Sequence, residues 1–185
     1  MFPILERVKN MLLSPQSTWD EIKAETTTIG QLFQNYLFIL AGIPAVAGFI
    51  GWLFNGENFF LSFIWGILHY IFSLVAVWAA AQLLVLLAPN FQCEVKADEA
   101  FALYSYSITP LFLVSIFMII PGISFLLLFG IYGFFLLYVG ITKLVAPPIE
   151  KTTIFTIAAA LIISILYIVG LGLAMNFSGM PDLLP

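Results

Sequence analysis

The chain has 185 residues, 62% of them hydrophobic and 9% charged, against roughly 25% charged in a soluble globular domain. This composition reads as an integral membrane protein. Its six Lys and Arg residues are spread along the whole length and its formal charge is −4, which excludes a nucleic-acid partner, because phosphate binding needs clustered positive charge. A single cysteine, Cys93, excludes an internal disulfide, and no Cys/His cluster has metal-ligand spacing, so neither metal nor cofactor is expected.

Residues 1–13 lack the long apolar core of a signal peptide. Leu5, Val8 and Leu12 alternate with Glu6, Arg7, Lys9 and Asn10 at helical spacing, which predicts an amphipathic helix lying on the membrane or on the protein's own loops. Ser14 is placed to cap a second short helix, with Pro15 at its first position. Trp19 is expected to anchor that helix at the membrane interface. Thr26, Thr27 and Thr28 are poor helix formers and mark the joint before the first span.

Five apolar segments follow, at about 32–54, 59–87, 101–120, 123–146 and 153–175, each meeting the roughly 20-residue length of a membrane-crossing helix. The expected fold is an all-α, five-span membrane bundle preceded by interfacial helices. Its divisions are a 1–28 N-terminal segment, a 29–176 span domain and a 177–185 external tail. The separators are Asn55-Gly56-Glu57-Asn58, a polar loop at 89–99, a Pro121-Gly122 turn and the 147–151 stretch that begins Pro147-Pro148. With the N-terminus inside, Arg7, Lys9, Lys23, Lys96, Lys143 and Lys151 all fall on the cytoplasmic side, and the external segments carry only Glu57 and Asp182. Lys143 is expected to reach the inner interface from the end of the fourth span.

Small residues at Gly42, Ala45, Gly48, Gly51, Ser62, Gly66, Gly130, Gly133 and Gly140 permit close helix contacts. Pro44 and Pro110 are expected to kink the first and third spans.

No catalytic motif emerges, and an enzyme is not expected. His69, in the second span, is either a neutral ring bonded to a neighbouring helix or a proton- or metal-handling group. Gln82 and Tyr70 read as members of interhelical hydrogen bonds. Glu94, Asp98 and Glu99 form an acidic loop that is either solvated or binds a cation or basic partner. Cys93, beside these acids, is expected to have a raised pKa and an inert thiol.

The densest polar signal is Tyr104-Ser105-Tyr106-Ser107-Ile108-Thr109-Pro110. On a helix, Ser105, Tyr106 and Thr109 share one arc of about 100°, while Tyr104 and Ser107 lie on another side. Such a helix must meet protein or water on both faces, which makes it central. Its hydroxyls form either a hydrogen-bonded core or a polar cavity for a solute, ion or lipid headgroup.

Leu13-Ser14-Pro15 followed by Trp19, the 104–110 segment, and Gly140-Ile141-Thr142-Lys143 stand in an order that resembles the YIP (Ypt/Rab-interacting protein) domain family, in particular its short prokaryotic members. The resemblance implies five spans with a cytoplasmic N-terminus, and a place in the prokaryotic inner membrane. Eukaryotic members sit in Golgi and endoplasmic reticulum membranes and bind Rab GTPases and one another. This sequence lacks their Asp-Leu-Tyr-Gly-Pro motif and has Ser105 where the family pattern has glycine, so Rab-type GTPase binding is not carried over. The expected partners are membrane lipids, other membrane proteins or a second copy. Two functions stand: a membrane interaction or organising protein, and a small transporter or channel using a pathway beside the third span.

Overall fold

The computed structural model describes residues 4–120 and 122–179. Met1 to Pro3, Pro121 of the expected turn, and the tail from Met180 with Asp182 lie outside the described residues. Two short helices, α1 (Ile4–Leu13) and α2 (Pro15–Ala24), precede five helices long and apolar enough to cross a membrane: α3 (Ile29–Phe54), α4 (Phe59–Phe91), α5 (Ala97–Ile119), α6 (Phe125–Val145) and α7 (Ile149–Ser178). The protein is an all-α, multi-pass membrane protein.

Local chemistry sets the helix starts. Thr28 opens α3 with reciprocal bonds: its hydroxyl accepts from the Gln31 N–H, and its own N–H donates to the Gln31 side chain. Asn58 opens α4 by accepting the Phe60 and Leu61 N–H groups. The polar loop read at 89–99 is shorter than expected, because Ala97, Asp98 and Glu99 already belong to α5. The Glu99 carboxylate accepts the Lys96 N–H at 3.0 Å, and Asp98 accepts the Ile29 N–H at the start of α3 at 2.9 Å. Two acids of the loop thus cap helix N-termini, where negative charge is favoured. Likewise α7 begins at Ile149, four residues before the expected boundary, since Pro148 ends the turn and Glu150 suits a first turn. At its far end α7 runs past Asn176 to Ser178, where Gly179 takes the left-handed conformation (φ 72°).

Among the five spans, α5 is the most enclosed: 61% of its apolar window is buried, against 22% to 44% for the others. The second and fifth spans, α4 and α7, pack along each other, and α4 also lies against α3 and α5. Outer apolar side chains such as Phe63, Ile67, Ile71 and Val75 on α4 are left uncovered by protein. Their four-residue spacing forms one lipid-facing stripe.

The N-terminal helices depart from expectation. Trp19, expected in the interface, is completely buried. Its indole lies across Gly140 of α6, where an added Cβ would stand 2.7 Å from the ring, so only glycine admits it there. In α1 the enclosed residues are Arg7 and Met11, while Leu5, expected on the apolar face, is 79% exposed. Arg7 turns inward because Glu25 and Glu21 receive its guanidinium. Ser14 precedes α2, but its hydroxyl makes no capping bond. Instead its carbonyl accepts from Ser17 and Thr18 hydroxyls at 3.0 and 2.9 Å.

Candidate functional site

The 104–110 segment occupies the middle of α5, and every residue in it is buried. Pro110 cannot continue the helix past the carbonyl of Tyr106, and the helix breaks at Ile108 (φ −77°, ψ −10°), restarting at Thr109 with Pro110 in its first turn. The Ile108 N–H donates to the Tyr104 carbonyl at 3.0 Å, and the Phe112 N–H to the Ile108 carbonyl at 3.1 Å. The Thr109 hydroxyl donates to the Ser105 carbonyl at 3.4 Å. That leaves it to accept from the Tyr36 hydroxyl of α3 at 2.7 Å.

Tyr106 and Thr109 face α3 and the N-terminal helices. The Tyr106 ring lies 4.7 Å from that of Tyr36 and meets Trp19 edge-on at 5.9 Å, in the geometry aromatic quadrupoles favour. The Arg7 guanidinium stands 5.9 Å from the Tyr106 ring centroid, within cation–π reach. Below this cluster a cleft of about 330 Å³ is lined by Lys23, Glu25, Lys96, Asp98, Glu99 and Tyr106, among others. Its rim is stapled by two further contacts. Lys143 pairs with Asp20 at 2.8 Å, and Lys23 donates to the Lys143 carbonyl at 2.9 Å. Lys143 therefore reaches a carboxylate of α2 at the end of its span. The Tyr132 hydroxyl of α6 donates to the Leu12 carbonyl at 3.0 Å.

Tyr104 and Ser107 face the other way. The Tyr104 hydroxyl donates to the Ala159 carbonyl of α7 at 3.0 Å. Both residues line a cavity of about 200 Å³ between α5, α6 and α7, with Leu111, Gly133, Phe134, Ser164, Tyr167 and Ile168 also on its wall. Gly133 brings α6 against this face, since a Cβ there would stand 2.5 Å from the Ser107 carbonyl. Close backbone approach through small residues is the usual means of helix contact in membranes. Ser105 and Ser107 keep buried hydroxyls without a hydrogen-bond partner among the described residues.

His69 is not part of the 104–110 cluster itself. It stacks on Trp65 with ring centroids 4.8 Å apart, and its Nε2 lies 3.2 Å from the Tyr167 hydroxyl. Tyr167 thereby links it to the cavity wall. Tyr70 donates to the Phe38 carbonyl at 3.1 Å. Among the described residues no three His, Cys, Asp or Glu side chains gather as a metal group would. The Cys93 thiol is raised chiefly by burial, with Lys151 pulling it back, so the cause is desolvation and not the neighbouring acids. Sequence spacing does not mark Tyr36, Ser164 or Tyr167, and it places Arg7 only as a charge of the first helix on the cytoplasmic side. A lone arginine on a short helix and single hydroxyls in apolar spans carry no spacing signal, and only their distant partners mark them.

Among the described residues, four apolar spans packed with a polar, proline-broken third span define a multi-pass helical membrane protein with a buried polar centre. A family model described as the Yip1 domain matches residues 9–172, and the chain belongs to the Yip1 domain family. No curated protein and no solved structure matched it.

Proposed function

We propose that this Yip1-domain chain is a non-enzymatic interaction or membrane-organising protein, inserted with its N-terminus in the cytoplasm of a prokaryotic cell and presenting partners with a fixed surface built by α1, α2 and the start of α5. The orientation rests on charge. All six basic residues belong to the N-terminal helices or to the span ends beside them, and positive charge favours the cytoplasmic side.

The observation that carries the reading is the way α1 and α2 are fastened to the spans. Trp19 fills the Gly140 slot, Arg7 joins α1 to α2 through Glu25, and Lys143 joins α2 to α6. Helices held this firmly offer a preformed surface, which lowers the ordering cost of binding. The charged cleft beside them, with Lys96 and Glu99 on its wall, supplies polar groups that fix a partner's orientation. Transport through the bundle finds less support, because the cleft at Tyr106 and the cavity at Ser107 lie on opposite faces of α5.

Crosslinking followed by affinity capture from native membranes tests this. A reproducible membrane-protein partner, or a second copy, is expected with the wild type and lost with Lys23→Glu/Lys96→Glu, which reverses cleft charges while leaving Trp19 in place. Capture of the same proteins by both forms, or of none by either, contradicts the proposal. Deleting residues 1–28 is the poorer test, since it would uncover Tyr106 and Leu103.

A further inference from the structure

The two N-terminal helices stand upright beside α6 instead of lying across its end. Arg7 meets Glu21 and Glu25, which folds α1 back along α2 as a hairpin with its turn at Ser14. Followed from its open end, α2 climbs α6: Lys23 donates to the Lys143 carbonyl, Asp20 pairs with the Lys143 ammonium, and Trp19 covers Gly140. At the turn, Leu13, Pro15 and Gln16 border one recess with Tyr132 and Phe135. Phe135 lies eight residues from Lys143, about 12 Å along a helix, and the hydrocarbon of one leaflet is about 15 Å thick. The part-exposed Lys143–Asp20 pair marks the headgroup level, because such charges are costly in hydrocarbon.

We infer that α1 and α2 form a re-entrant hairpin whose turn, residues 12–17, is sunk among the acyl chains of the leaflet on the N-terminal side, giving the protein a lipid-contact element in one leaflet only. Charge is sorted by depth along the hairpin. Glu6, Arg7 and Lys9 on α1, and Asp20, Glu21 and Lys23 on α2, occupy its open half, while residues 10–19 carry no charge. The carbonyls at the turn receive donors from the protein itself: the Tyr132 phenol for Leu12, and the Ser17 and Thr18 hydroxyls for Ser14. Water supplies such donors at an ordinary surface turn, whereas a backbone in lipid has to find them internally. Pro15 opens α2 without an N–H that would need a partner. Leu13 is 72% exposed, and Phe135 and Tyr138 beside it on α6 are also uncovered, so the turn continues the lipid-facing surface of the span. A water-soluble partner fits Leu13 worse, because it would have to enter the bilayer to reach it. The partner surface proposed above lies at the charged end of the hairpin and does not enter this inference.

The test attaches bimane to one introduced cysteine at a time in the full chain carrying Cys93→Ser. Each form is placed in phosphatidylcholine nanodiscs with a nitroxide either on the headgroup or half-way along an acyl chain. Leu13→Cys is expected to be quenched more strongly by the acyl-chain nitroxide, as is Phe135→Cys on the span, with the order reversed for Lys9→Cys at the open end. Gln16→Cys supplies a second label at the turn should the Leu13 variant not fold, and it is expected to follow the same order. Turn labels quenched in the order of Lys9→Cys, or quenched by aqueous iodide, would place the turn in water and overturn the inference. Turn labels shielded from both nitroxides would overturn it as well, by showing that a second copy or another protein segment covers the turn.

Discussion

The two faces of α5 carry the same residue types but are packed differently. Toward α3 and the N-terminal helices, Tyr106 and Thr109 are closed in by Trp19, Tyr36 and Arg7, and the Thr109 hydroxyl is bonded. Toward α6 and α7, Tyr104 and Ser107 line a cavity of about 200 Å³ whose wall is mostly apolar, and the buried Ser107 hydroxyl has no partner among the described residues. Hydroxyls in a membrane helix are therefore not one feature. Where a neighbouring helix brings a partner, as for Thr109 and Tyr104, they tie the bundle together, while Ser105 and Ser107 are buried without one among the described residues.

This contrast can be broken most forcefully on the closed face. Trp19→Ala empties a completely buried site and is expected to cost about 3–5 kcal/mol, read as a large drop in thermal stability in detergent. Across the bundle, Gly133→Ala drives a methyl to within 2.5 Å of the Ser107 carbonyl. Separating α6 from α5 should cost about 1–3 kcal/mol, and the same melting assay measures it. Tyr36→Phe removes the bond to Thr109 and should cost about 1 kcal/mol. The matching change on the open face, Ser107→Ala, is expected to be neutral or slightly stabilising, and an equal loss from both would erase the distinction. Asp20→Asn breaks a pair with Lys143 whose members are 57% and 35% exposed. Solvent screening limits its effect to under about 1 kcal/mol, and salt should reduce it further.

The smallest effect concerns pH. Burial raises the Cys93 thiol in the folded protein, so the stability held by the protonated form is present below the ordinary thiol pKa and is lost as pH rises through the raised one. Maleimide labelling of the native protein should accordingly begin at a higher pH than labelling of the denatured chain.

Hydropathy made the spans legible, because a bilayer demands long apolar helices whatever they pack against. The 100° spacing likewise separated Tyr106 and Thr109 from Tyr104 and Ser107 before any partner was known. What stayed hidden depends on residues far apart in the chain. Trp19 resembles an interface anchor until Gly140 is seen beneath it, and Arg7 resembles a solvated cation until Glu25 meets it. Asp98 and Glu99 looked like a free acidic loop because their roles, capping α3 and α5, depend on where two helices begin. Spacing leaves a hydrogen-bonded core and a polar cavity both open for the 104–110 segment, since it shows where hydroxyls point and not what stands opposite.

The N-terminal helices dock against the ends of the spans, and zero-length carbodiimide coupling in native membranes reads that docking out. With Lys143 Nζ 2.8 Å from an Asp20 carboxylate oxygen, mass spectrometry should recover an Asp20–Lys143 isopeptide that disappears in Asp20→Asn. Recovery of Lys143 unlinked, or joined only to other carboxylates, would show that α2 does not rest on the end of α6.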